Sequence, residues 1–149
     1  MKIEKFTFEG LKHVEDQTLD LTNEVKESIS SSNLLKILGV FLKNSHLSKD
    51  EIDTVTKKAS ISMLLQLLSV EESKDLLSSL KLETTDNTLK ITKLFKIDDI
   101  DITGEIPPQI FINGEHFETQ VWEEILPYLP QFISVNFNGS MIRIPKCDL

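Results

Sequence analysis

Arginine is almost missing from this chain: of 16 basic residues, only Arg143 is an arginine. Its planar fork is the side chain best matched to phosphates and base edges, so this scarcity argues against sequence-specific nucleic-acid binding. A net charge of −8 adds repulsion toward a phosphate backbone. Cysteine is limited to Cys147, which excludes an intramolecular disulfide and a cysteine-built zinc site within the chain. That usage fits a reducing, cytoplasmic setting. Glycine occurs five times, in neither the dinucleotide-binding pattern nor the P-loop pattern, so the common phosphate-cradling loops are excluded. Long apolar runs are lacking too. The most apolar stretch, residues 34–42 (LLKILGVFL), is under half of the roughly 20 residues that cross a bilayer. The opening MKIEKFTFEG lacks the continuous apolar segment of a signal peptide. A soluble protein without a membrane partner is expected.

What is present divides the chain in two. At 149 residues a single domain spanning 1–149 is expected, with sub-lobes over 1–80, mainly helical, and 81–149, mainly β. Between about residues 20 and 80, Leu, Ser, Lys and Glu dominate and proline is absent. Leu34, Ile37, Leu38 and Phe41 recur at helical spacing, with Asn33 as the expected N-cap. Ser48 and Glu51 spell a capping box, and Ile52, Val55, Ala59, Met63 and Leu67 follow at three- and four-residue steps. That spacing predicts a long helix to about Leu68. Ser69 and Glu72 repeat the signal and predict a helix to about Leu80, while Leu21, Val25 and Ile29 suggest a shorter one. The expected fold class is therefore α+β, an N-terminal Leu-rich helical bundle packed against a C-terminal antiparallel sheet of Asn-Gly hairpins.

In the second half the spacing turns to alternation. Residues 89–97 alternate apolar and polar, except that Lys93 falls where an apolar residue belongs, and KIEKFTF near the start reads as one more strand. Asn113–Gly114 and Asn138–Gly139 are each flanked by strand formers, the strongest short-range hairpin signal. Two-residue turns set Ile112 against Glu115, Ile110 against Phe117, Val135 against Ile142 and Ile133 against Ile144. Between the hairpins, Val121, Trp122, Ile125 and Leu129 form a short apolar stripe confined by Pro127 and Pro130. Residues 107–117 (PPQIFINGEHF) resemble the glutaredoxin segment in which a proline precedes a strand, a turn and a returning strand. The resemblance implies a nucleophilic cysteine at an upstream helix N-terminus. No cysteine precedes Cys147, so the stretch is read as a hairpin.

The residues that could carry chemistry are few. Asp98, Asp99, Asp101 and Glu105 begin like a calcium loop, but position twelve counted from Asp99 is Ile110 where a bidentate glutamate belongs. They are read as a candidate acidic patch, with no metal site assigned. His13, His46 and His116 stand far apart in sequence, none at a spacing that aligns two ligands on a helix. No catalytic residue, cofactor site or cofactor is expected, and no enzyme. Phe111, His116, Trp122 and Tyr128 are candidate interface residues, because large aromatics with a polar handle anchor many interfaces; for Trp122, filling the seam between helix and sheet is the simpler role. The leading function is a non-enzymatic protein-interaction or assembly subunit of a larger complex, a phage or other particle component included. Its partners would be other protein chains or copies of itself. Two alternatives stand beside it: an acidic inhibitor or immunity-type protein that binds a basic partner, and an enzyme whose site is assembled from scattered polar residues.

Overall fold

Alternation governs far more of this chain than helical spacing does. The computed structural model describes every residue except 1, 23, 26–28, 68, 69, 83–85, 138 and 149. In chain order the elements are β1 (Lys2–Glu9), β2 (Gln17–Asp20), β3 (Glu24–Val25), α1 (Ser31–Leu42), β4 (Leu47–Ser48), β5 (Lys58–Gln66) and α2 (Val70–Leu80). There follow β6 (Thr88–Lys96), β7 (Glu105–Ile106), β8 (Gln109–Ile112), β9 (Glu115–Phe117), α3 (Val121–Ile125), β10 (Phe132–Phe137) and β11 (Ser140–Pro145). Strand outweighs helix, 41% against 28%, and no N-terminal Leu-rich helical bundle is seen. The α+β expectation of such a bundle is thereby overturned.

The clearest correction lies at residues 52–67. The Ser48–Glu51 box forms, with the Glu51 carboxylate accepting from both the Ser48 amide and hydroxyl at 3.1 Å. It caps only a single 3-10 turn, Lys49–Glu51. Asp53 then turns the chain, its carboxylate accepting from the Val55 amide (3.1 Å) and the Thr56 hydroxyl (3.2 Å). Lys57 takes a positive φ of 57°, which no helix continues. Val55, expected on the buried stripe, is 85% exposed. From there Ala59, Ile61, Met63 and Leu65 are buried at every second position of β5. Apolar residues four apart satisfy both periods, and the β-branched run Thr54–Val55–Thr56 disfavours helix. The expected helix at Leu21–Ile29 is also replaced where described, by the short strand β3.

Other expectations hold. α1 has Leu34, Ile37, Leu38 and Phe41 buried, although Ser30 rather than Asn33 is its cap, accepting from the Asn33 amide at 3.2 Å. α2 runs to Leu80, while Ser69 of its expected box lies outside the described residues. Both hairpins close in the expected register. Asn113 and Gly114 have φ of 50° and 86°, the paired left-handed geometry that the Asn-Gly sequence favours. Asn138 is not among the described residues.

The strands form an antiparallel sheet in the order β2-β1-β5-β6-β8-β9, a separate sheet β11-β10-β3, and a two-stranded ribbon β4-β7. β5 and β6, which flank residues 81–87 in sequence, pair along nine residues at the centre of the large sheet. One face of that sheet carries Phe6, Phe8, Ile61, Met63, Leu89, Ile91, Phe95 and Ile110, all buried, with α1 and α3 packed over it. The other carries a Ser/Thr ladder in which Ser62 and Thr92 share a 2.9 Å hydrogen bond and Thr7 and Thr18 one of 3.1 Å. No helix among the described residues is long and apolar enough to cross a membrane.

Candidate functional site

Three places gather polar or exposed groups in arrangements that packing alone does not demand. The first is Lys93. Alternation in β6 puts it between Ile61 and Ile110 of the neighbouring strands, on the core face, where it is 0% exposed. Its side-chain nitrogen lies 3.6 Å from the Trp122 ring centroid and 4.8 Å from that of Phe41, and it donates to the Phe41 carbonyl. Loss of water around the amine lowers its pKa from 10.5 to about 6. Trp122 closes the lid: its indole donates to the Leu42 carbonyl at 2.9 Å, and its ring meets Phe41 edge-on at 5.2 Å. Aromatic rings and a carbonyl surround the amine, and none of the residue's surface is exposed.

The second is the outward face of β10 and β11. Ile133, Val135 and Ile144 point into the core. On the opposite face Phe132 is 47% and Met141 64% exposed, and the Arg143 guanidinium stacks 4.5 Å above the Phe132 ring. Ile142 remains 38% exposed. Among the described residues β11 is also a free edge of its sheet. The two-residue turn makes Phe137 and Ser140 the first bonded pair, so Met141 and Arg143 aim their backbone amides at the open side. The Lys146 amide bonded to the Gln131 carbonyl at 2.8 Å continues that alternation.

The third joins residues far apart in sequence. His46 Nδ1 lies 3.8 Å from Asp101 Oδ2 and 3.4 Å from Glu105 Oε2. His46 precedes β4 and Glu105 begins β7, and the pairing of Leu47 with Ile106 brings the two together. Asp101 turns the chain: its Oδ1 accepts from the Thr103 amide (2.9 Å), the Thr103 hydroxyl (2.5 Å) and the Glu105 amide (3.0 Å). These bonds, the Thr103 hydroxyl first, hold its carboxyl below the usual range, with a smaller contribution from the His46 charge.

The residues singled out from sequence are spread over the molecule. Trp122 is 3% exposed and fills the seam between α3 and the sheet. Tyr128 is half-buried against the core. Phe111 and His116 face each other across the first hairpin with rings 5.3 Å apart, His116 on the edge strand β9. The acidic patch divides: Asp101 and Glu105 meet His46, Asp99 accepts from the Gln109 amide group at 2.6 Å, and Asp98 is exposed. His46, Phe132, Met141 and Arg143 were not apparent as functional positions. A single arginine two residues from an exposed methionine on a hairpin was the only available signal for the second place.

No protein-family model matches the chain, and no curated protein matches it. Among solved structures it is similar to the ATP-bound recombination mediator protein RecF, at 11% identity over 79% of this chain and 28% of that one, with a TM-score of 0.46. It is also similar to an SMC head bound to the C-terminal winged-helix domain of ScpA, at 13% identity over 85% of this chain and 39% of that one, with a TM-score of 0.48. The chain thus spans well under half the length of either. Likeness at this level carries no conclusion about activity.

Proposed function

We propose that this chain is a non-enzymatic protein-interaction module that takes an extended segment of a partner protein on the free edge of β11. The observation that carries the reading is the coincidence of an unpaired strand edge with exposed Phe132, Met141 and Ile142 and the chain's single arginine. Phe, Met and Arg are the residues enriched where proteins meet, and an open edge offers its amides and carbonyls to an added strand. Exposed apolar edges also invite aggregation, so a protein that keeps one gains from covering it. Arg143 has no carboxylate partner among the described residues. A partner strand with an acidic side chain beside an apolar one therefore fits this face. The absence of catalysis is part of the proposal, and Lys93, fully buried, takes no part in the interaction face.

Selection of peptides from a displayed random library against the full chain tests the reading. Retained peptides should combine apolar and acidic residues and shift the amide resonances of Met141 and Arg143. Met141→Pro keeps the bonds to β10 but removes an edge donor, and should abolish binding. Peptides that bind elsewhere, or no retained peptides at all, would overturn the proposal.

A further inference from the structure

The His46 cluster lies outside the interaction face and has chemistry of its own. Three side chains of metal-ligating type converge so that their donor atoms all lie within 4.8 Å of one another. An imidazole and two carboxylates is a mixed donor set, unlike the all-oxygen shell that calcium and magnesium take. Around a tetrahedral ion with bonds of about 2.1 Å, donor atoms sit roughly 3.4 Å apart. The Nδ1 distances of 3.4 Å and 3.8 Å are already close to that value.

The cluster is also held in place. Leu47 and Ile106, adjacent to two of the three residues, are 2% and 0% exposed and pair across the ribbon. Asp101 uses Oδ1 for three hydrogen bonds within its own turn, which leaves Oδ2 directed at His46. A ligating carboxylate whose second oxygen is held by the backbone loses less freedom on binding an ion. Among the described residues neither Asp101 nor Glu105 has a lysine or arginine partner.

We propose that His46, Asp101 and Glu105 form a surface site for a divalent transition-metal ion of the zinc type, bound through His46 Nδ1 and one oxygen of each carboxylate. Three protein ligands leave a coordination position for water or for a donor from another molecule. The ion joins the residue before β4 to the turn that leads into β7 and to the first residue of that strand, segments more than 50 residues apart in sequence.

Titration of Zn²⁺ alone into the full chain, read by competition with a chromophoric chelator, tests this. One saturable site is expected, accompanied by shifts of the His46 imidazole resonances. His46→Ala and Asp101→Asn should each weaken binding by about tenfold or more. His116→Ala and Cys147→Ser, which remove other zinc-binding side chains, should leave the affinity unchanged. Circular dichroism of each variant separates lost affinity from lost structure; all three positions are at least partly exposed. No saturation below about 1 mM, or an affinity indifferent to both His46→Ala and Asp101→Asn, would overturn the site.

Discussion

Two basic side chains stack on aromatic rings among the described residues, in opposite surroundings. Lys93 lies over Trp122 in the large sheet's core with none of its surface exposed, whereas Arg143 lies over Phe132 on an open strand edge. The contact is similar; the solvent is not. In the core, removal of water outweighs the attraction of two ring faces and a carbonyl, and the amine favours its neutral form. At the edge water still solvates the guanidinium, which keeps its charge and can turn it toward a partner. Ring contact alone therefore does not make a binding site; access decides.

The largest test of that contrast is Trp122→Ala. It removes the lid over Lys93, the edge contact with Phe41 and the bond to the Leu42 carbonyl. A loss of about 3–5 kcal/mol is expected in denaturant unfolding, in the range of a buried large-to-small change. A loss below about 1 kcal/mol would mean that the ring does not seal the core.

Next in size is the pH dependence of folding. Lys93 releases its proton near pH 6 when folded, but in the unfolded chain near its ordinary 10.5. Between those values the unfolded state binds the extra proton, so stability rises with pH, by up to about 1.4 kcal/mol per unit from this group. Below pH 6 both states are protonated, the full cost of the buried charge is present, and this contribution levels off. Lys93→Met should abolish the slope and raise stability at neutral pH. The Phe41 carbonyl still accepts from the Asn44 amide, at 3.4 Å, in that variant. Chemical denaturation of both proteins from pH 6 to 10 would show it, and equal slopes would sink the assignment.

The smallest effect is expected at the edge. Phe132→Ala with Met141→Ala should change stability by less than a core substitution, about 1 kcal/mol or below per site, because both side chains are largely exposed. The same pair should lose peptide binding. A core-sized loss of stability would show that the face supports the fold and is not free for a partner.

How much of this was legible beforehand differs between the regions in an instructive way. Asn113–Gly114 specified its turn locally, because only a few residues accept two successive positive φ values, and the register followed by counting. Residues 52–67 misled because apolar positions four apart serve a helix and a strand equally. Only pairing on both sides, with β1 and β6, selects the strand. Lys93 broke the written alternation yet not the structural one: the strand kept its phase and carried the lysine into the core. His46, Asp101 and Glu105 meet because β4 pairs with β7, and no local spacing encodes that.

By itself, then, the sequence determined what short-range chemistry controls: the Asn113–Gly114 turn, the strand phase of residues 88–96, and the lack of an internal disulfide or long apolar span. The tertiary structure alone decided which segments pair, which basic side chain lies against a ring without water, and which acids meet a histidine. Backbone dihedral preferences act over a few residues and can be read one after another. Solvent exclusion and long-range strand pairing depend on residues dozens of positions away, and exist only once the chain has closed on itself.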